Sequence, residues 1–177
     1  MKTMLLAAGK GTRSAPLTDK PPKPLLPVGG KPLIFHLLGQ LQQAGVNEVV
    51  INTHHLGEQI EQALSVLDPS KIRVHFSREE ELLETGGGIK KALPILQQST
   101  FWLCNADIFA DFDFNNLPTQ LLADDLAHLV LAPKPASRDT GDFAYADGRI
   151  TARGGFYVYA GIALIHRYLF HGSPDCP

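Results

Sequence analysis

The chain has 177 residues, 44% of them hydrophobic and 19% charged, with a formal net charge of −2 and a pI near 6.4. That is the size and texture of one globular domain, large enough to bury a core without a disulfide or structural metal. The balance excludes a basic field for nucleic acid, and no run approaches the ~20 apolar residues of a membrane span.

Two cysteines, Cys104 and Cys176, are too few for a metal cluster and imply a reduced, cytoplasmic setting. Cys104, beside the apolar Phe101-Trp102-Leu103, is expected in the core. The Met1–Ala8 start faintly imitates a signal peptide, but Gly9, Lys10, Gly11 and Arg13 stand where a cleavage site would be needed. Nucleic acid and membrane are therefore not expected partners, and a monomer is the default.

In chain order, Met4–Ala8 predicts a short buried strand. The Gly9–Lys31 segment, rich in glycine, proline and lysine, is too long to be a mere connection. Pro32 opens a helix with Leu33, Ile34, Leu37, Leu38 and Leu41 on one face, stopped by Gly45. Glu48–Asn52 predicts a buried strand, and Leu56–Leu67 a second helix ended by Pro69. Ile72, Val74 and Phe76 alternate with Arg73 and His75, as in a strand with one wet face. Gly87–Gln97 predicts a helix despite its glycine start and Pro94, and Phe101–Asn105 and Ala127–Ala132 predict two more strands.

This β-α-β-α-β-α-β order predicts a three-layer α/β fold with a mostly parallel, Rossmann-like sheet and helices on both faces. The strands lack period-two polarity, as expected when both faces are covered. After Pro133 the texture changes: Gly141, Gly148, Gly154 and Gly155 separate Phe143–Ala146, Arg149–Thr151 and Phe156–Ile165. That predicts an antiparallel excursion, with Ile162–Ile165 returning to the core.

Ligands of open α/β sheets sit at the carboxyl ends of strands. Three chemistry-bearing segments fall there: the loop after the first strand, the glycine triplet Gly86-Gly87-Gly88, and Asn105-Ala106-Asp107. In the first loop, LAAGKGTRSAPLTDKPPKPLLPV, Gly9 and Gly11 let backbone amides approach an anion. Lys10, Arg13 and Lys23 add cationic donors, Arg13 as a planar fork and Lys23 as a point charge. Five prolines (16, 21, 22, 24 and 27) stiffen the path. A Walker A loop and a dinucleotide fingerprint both fail on spacing. Adjacent His54 and His55 point apart and suit a pocket wall better than a metal pair. Glu79-Glu80-Glu81 reads as a solvated charge run, and Asp111 and Asp113, beside Phe112 and Phe114, as members of a solvated loop.

The run from Leu6 to Val28 resembles the signature of the sugar-1-phosphate nucleotidyltransferase family, with GTR, PLT and PKPLLPV in register. Within it, Glu84-Thr85-Gly86-Gly87-Gly88-Ile89 and Gly141-Asp142-Phe143 look like the N-acetylmuramate-1-phosphate uridylyltransferase branch, which serves peptidoglycan recycling. The resemblance implies a GT-A-like nucleotidyltransferase domain over residues 1–177. Residues 1–132 would form its nucleotide-binding core and 133–177 a partial sugar-binding part. It implies that Ala8, Gly9, Gly11, Thr12, Arg13, Lys23, Thr85, Gly86 and Gly87 contact the nucleotide. Asn105, Asp142 and Gly161 would contact the sugar phosphate, with Asp107 as Mg²⁺ ligand and Arg13, Lys23 and Asp107 catalytic. Ala106 stands where the family's metal segment usually has glycine, and Ala160 where a polar sugar contact is more usual.

The implied partners are a nucleoside triphosphate, UTP on this reading, and a sugar 1-phosphate, N-acetylmuramate 1-phosphate. The implied reaction is in-line attack on the α-phosphorus with release of pyrophosphate, driven by positioning and charge neutralisation. At an effective dielectric of ~20 a cation 4 Å from an anion contributes about 4 kcal/mol before desolvation, which makes Lys23 the cation to watch. The family's second metal carboxylate, in a Trp-x-Asp-Val-Gly-Thr segment, has no match here, so the domain's C-terminal end is expected to be missing. A nucleotide-binding pseudoenzyme or fragment therefore stands as the alternative. Mannose-1-phosphate guanylyltransferase or glucose-1-phosphate thymidylyltransferase activity stands behind it, and a dinucleotide oxidoreductase is more distant.

Overall fold

A computed structural model of the chain describes residues 1–12, 16–18 and 20–172. Strand β1 (Lys2–Leu6) leads into the glycine-rich loop, which contains a 3-10 turn (Lys23–Leu25) and a small ribbon of β2 (Pro27–Val28) and β3 (Lys31–Pro32). Helix α1 (Leu33–Gln43), β4 (Glu48–Thr53), α2 (Gly57–Leu64), β5 (Arg73–Arg78), α3 (Glu84–Leu96) and β6 (Thr100–Asn105) complete the α/β alternation. Then come β7 (Ala127–Pro133), β8 (Phe143–Ala146), β9 (Arg149–Arg153) and β10 (Tyr157–His166).

The eight-stranded sheet runs β5-β4-β1-β6-β10-β8-β9, with β7 also paired to β10. Strands β5, β4, β1 and β6 are parallel. The second half is antiparallel, because β10 returns against β6 and thereby separates β7 from the parallel strands. The Ala127–Pro133 strand thus follows β6 in sequence but not in space.

Apolar side chains on successive residues of one strand enter opposite layers. Leu5, Val49, Ile51, Trp102 and Cys104 pack with Ile34, Leu37, Leu38 and Leu41 of α1 and with Ile60 and Leu64 of α2. Met4, Val50, Phe101 and Leu103 face Ile89, Ala92 and Leu96 of α3 on the other side. This is the three-layer arrangement that the alternation predicts. Cys104 is fully buried, and burial pushes its thiol pKa up; Cys176 lies outside the described residues. No helix among the described residues is long and apolar enough to cross a membrane.

Several local expectations differ from the structure. Strand β1 covers Lys2–Leu6, not Met4–Ala8, because its pairing with β4 and β6 ends at Leu6, and α2 covers Gly57–Leu64, not Leu56–Leu67. Helix α3 begins at Glu84, not Gly87, because Glu84 takes a left-handed φ of 55° and the N–H of Leu83 is bound by a carboxylate. Phe114 leaves the loop and enters the core at 2% exposure, against Trp102 with ring centroids 5.9 Å apart. Asp113 caps the 3-10 turn Phe114–Asn116 through the N–H of Asn115.

The amino ends of the parallel strands are tied by charge. Register places Lys2 opposite Glu48 and Glu48 opposite Arg73. Lys2 Nζ lies 3.0 Å from Glu48 Oε1 and also donates to the carbonyl of Ile95 at the end of α3, at 3.0 Å. The Lys2 hydrogen bond is the main cause that holds the Glu48 carboxyl below its ordinary value of 4.5. A lowered native pKa contributes stability above the unfolded value and loses it as pH falls through the native one. Lys2→Met should therefore flatten the acid limb of the stability curve below pH 4.5, removing up to ~1 kcal/mol at neutral pH. Urea melts of both proteins from pH 3 to 7 test this.

Candidate functional site

The carboxyl ends of β1, β4 and β6 open into a cavity of about 430 Å³. Ala7, Ala8, Gly9, Lys10, Gly11 and Thr12 line one side, Leu82, Glu84 and Thr85 a second, and Lys23, Pro24, Asn105 and Asp107 a third, with Asn52 also in the wall.

The loop after β1 is held by its own later residues. Thr18 is 4% exposed, and its hydroxyl donates to the carbonyl of Gly11 at 2.9 Å. Gly11 has φ +67°, and a Cβ there would sit 3.1 Å from Thr18 Cγ2. Backbone handedness and crowding both demand glycine, and together they set the direction of the neighbouring amides. Pro22 precedes the 3-10 turn that carries Lys23, and it accepts the N–H of Leu25 at 2.8 Å. That turn points Lys23 at the end of β6, where Lys23 Nζ donates to Asp107 Oδ2 at 2.6 Å. Both side chains remain about one-third exposed, so ligands can reach them.

Asp107 follows Ala106, whose N–H is held by the carbonyl of Leu6 at 3.0 Å. The carboxylate is thus anchored one residue beyond a backbone bond to β1. No cluster of three or more His, Cys, Asp or Glu side chains suited to a metal occurs among the described residues. The Asp107 carboxylate does not by itself make a closed protein cage. It fits Mg²⁺, which is commonly bound through one or two carboxylates and takes its remaining ligands from phosphate and water.

Of the sequence-derived residues, Ala8, Gly9, Gly11, Thr12, Lys23, Thr85, Asn105 and Asp107 meet on this cavity. Gly86 and Gly87 continue from Thr85 in the first turn of α3, where amide hydrogens are free to meet an anion or a polar edge. Arg13 lies outside the described residues. Asp142 and Gly161 lie off the cavity walls. The Asp142 carboxylate accepts the N–H of Tyr159 at 2.9 Å and pairs with Arg138 at 2.9 Å. These bonds, that of Tyr159 first, hold its pKa below the usual carboxylate range. Gly161 takes φ +79° beside the Asn105 amide, where the pairing of β10 with β7 shifts register.

Sequence reasoning passes over Asn52 and Thr18 and misplaces Glu79. Asn52 was visible as a polar residue closing the apolar Val49-Val50-Ile51, and Thr18 lay inside the PLT segment. Glu79 corrects the expectation of a solvated acidic run: it is 5% exposed, while Glu80 and Glu81 are exposed. Its Oε1 accepts from Asn52 Nδ2 at 2.7 Å and its Oε2 from the N–H of Leu83 at 3.0 Å. His54 is not a pocket wall; its Nδ1 meets the carbonyl of Glu79 at 3.0 Å, so Nδ1 carries the proton.

Residues 2–143 match the nucleotidyl transferase family profile. Over 97% of its length the chain aligns at 40% identity with N-acetylmuramate alpha-1-phosphate uridylyltransferase from Neisseria meningitidis serogroup B, spanning 78% of that protein. The protein of the same name from Caulobacter vibrioides is 35% identical over 98% of the chain, again spanning 78% of the relative. In structure the chain is similar to a UDP-glucose pyrophosphorylase solved with UDP-glucose. The TM-score is 0.75 at 17% identity, with 96% of this chain and 77% of that one covered; this likeness is one of fold.

Gly11→Ala should weaken binding of inorganic pyrophosphate about tenfold or more, since a left-handed alanine costs ~1–2 kcal/mol and its methyl presses on Thr18. Adding Thr18→Ser, which keeps the hydroxyl and removes Cγ2, should recover part of the loss. Titration calorimetry with an unchanged far-ultraviolet dichroism spectrum is the check. Unchanged affinity in Gly11→Ala would show that the loop does not hold the anion.

Proposed function

Because the chain belongs to the nucleotidyl transferase family, we propose that it transfers UMP from UTP to N-acetylmuramate 1-phosphate. A phosphate oxygen of the sugar phosphate forms a bond to the α-phosphorus as the bond to the leaving pyrophosphate breaks. The products are a UDP-sugar and pyrophosphate, and no protein nucleophile takes part. The observation that carries the reading is the Lys23–Asp107 pair, 2.6 Å apart, on the same cavity as Gly9 and Gly11.

On this reading the amides of residues 9–12 hold the triphosphate, and Arg13 adds its guanidinium to the same phosphates. Thr85, Gly86 and Gly87 take the base and ribose, where the absence of side chains lets the backbone come close. Lys23 relieves repulsion between the two phosphates as they approach, and Asn105 orients the sugar phosphate. Asp107 would hold Mg²⁺ together with phosphate oxygens; when bound, the ion neutralises charge on those oxygens. Proximity and fixed charge then do the catalysis, with little reorganisation at the moment of reaction.

Residues 1–132 form the nucleotide part on this reading, and residues from 133 onward approach the sugar through Asp142 and Gly161. The choice of uridine and of N-acetylmuramate is supported by the Glu84–Ile89 segment and by the two uridylyltransferase relatives. Such an activity belongs to peptidoglycan recycling in the cytoplasm, where nucleoside triphosphates are available.

The test is pyrophosphate release from UTP and N-acetylmuramate 1-phosphate with Mg²⁺, against GTP and dTTP as competitors. UTP should be preferred, and Asp107→Ala should lower kcat by at least ~10²-fold, the scale of losing one stabiliser of developing charge. UTP binding without pyrophosphate release at any Mg²⁺ concentration would instead support a binding-only protein. Turnover with GTP or dTTP in preference to UTP would overturn the uridine assignment.

A further inference from the structure

Among the described residues, one buried carboxylate close to the site has no place in the chemistry above. Glu79 immediately follows β5, is 5% exposed and does not line the cavity, yet it connects two of the cavity's walls. One carboxylate oxygen accepts from Asn52 Nδ2 at 2.7 Å, and Asn52 Oδ1 accepts the N–H of Ala7 at 2.8 Å, at the root of the glycine loop. The other oxygen accepts the N–H of Leu83 at 3.0 Å, immediately before Glu84 and Thr85. Its backbone is pinned as well, by its own N–H to the carbonyl of Thr53 at 2.8 Å.

Helix α3 is shaped to this pair. A Cβ on Gly88 would fall 2.5 Å from Glu79 Oε1 and 2.7 Å from Asn52 Nδ2, so only glycine lets the helix start approach. The glycine triplet therefore divides its work. Gly86 is exposed at the helix start, whereas Gly87 and Gly88 are buried and Gly88 faces the pair.

We propose that Glu79 is a positioning residue for nucleotide binding: through Asn52 and Leu83 it fixes the distance between the phosphate-side loop and the base-side wall. The inference rests on the nucleotide reading of this cavity. The network has a definite polarity, which makes it testable. Leu83 and Ala7 present N–H donors at its two ends, so the two side chains between them must supply an acceptor to each. Glu79 and Asn52 do this, with the one remaining contact an amide hydrogen on a carboxylate oxygen. Glu79→Gln places one donor against another, at Leu83 or, if Asn52 turns over, at Ala7. Combining Glu79→Gln with Asn52→Asp restores every bond with the charge moved one residue across: the glutamine amide donates to Asp, which accepts from Ala7, while the glutamine oxygen accepts from Leu83.

The experiment measures KM and kcat for each substrate, and amide hydrogen exchange in the free protein, for wild type, Glu79→Gln, Gly88→Ala and the Glu79→Gln/Asn52→Asp double variant. Both single variants should raise the nucleotide KM on the order of tenfold to a hundredfold, the scale of one unsatisfied buried donor. The sugar-phosphate KM and kcat at saturating nucleotide should move less than about threefold. Exchange should quicken in segments 6–12 and 82–88, and the double variant should recover most of the affinity and protection. Loss of stability alone, with nucleotide KM and exchange in those segments unchanged, would overturn the proposal. So would a double variant no better than Glu79→Gln. Wild-type protein that binds no nucleoside triphosphate would instead defeat the reading of the cavity, while the exchange data would still report whether Glu79 ties the two walls.

Discussion

The site depends on one buried polar contact, the Asn52–Glu79 pair at 2.7 Å. A carboxylate taken out of water loses several kcal/mol of hydration unless hydrogen bonds replace it. Here the replacement donors come from β4 and from the approach to α3, while the amide that serves the carboxylate also serves β1. A group that is costly to leave unpaired thereby gathers the ends of three parallel strands and the start of a helix. An apolar contact of equal size would hold these elements together but would not set their spacing, because hydrophobic burial carries no direction.

With that spacing set, topology places the remaining parts. Parallel strands end on one edge of the sheet, so the loop after β1, the segment before α3 and the residues after β6 converge without any special loop path. The opposite edge uses the same register for a different end: Lys2 and Glu48 pair across strand starts and tie α3 to the sheet. Ion pairs thus occur at both ends with different consequences. Lys2 and Glu48 are each 17% exposed, enclosed by neighbouring elements. Lys23 and Asp107 are nearly twice as exposed and open to a cavity, so a polyanion or a cation can exchange with either partner at modest desolvation cost.

The antiparallel half does different work. Strand β10 lies beside β6 and so runs next to Asn105, while its irregularity near Gly161 turns the backbone toward that amide. Asp142 fixes the far end by accepting the N–H of Tyr159 and the guanidinium of Arg138. The Asp142 carboxylate thereby joins the approach to β8 to β10. A sugar reaching this half would meet a surface already braced from within.

Much of this was legible in residue order. The alternation of apolar runs with helical periods determined the three layers, because each element must bury one face or both. That the glycine loop, Lys23, Asp107 and Thr85 share one cavity was legible too, since they stand at or near strand ends that topology brings together. Three things were decided only by tertiary structure. The insertion of β10 between β6 and β7 follows from long-range pairing that no local pattern encodes. Phe114 left its polar neighbours because a space beside Trp102 was there to fill. Glu79 was indistinguishable from Glu80 and Glu81 in a charged triplet, and only the meeting of β4, β5 and α3 made it the buried one. Burial of a charge depends on donors brought from distant parts of the chain, and sequence order does not say which donors will arrive.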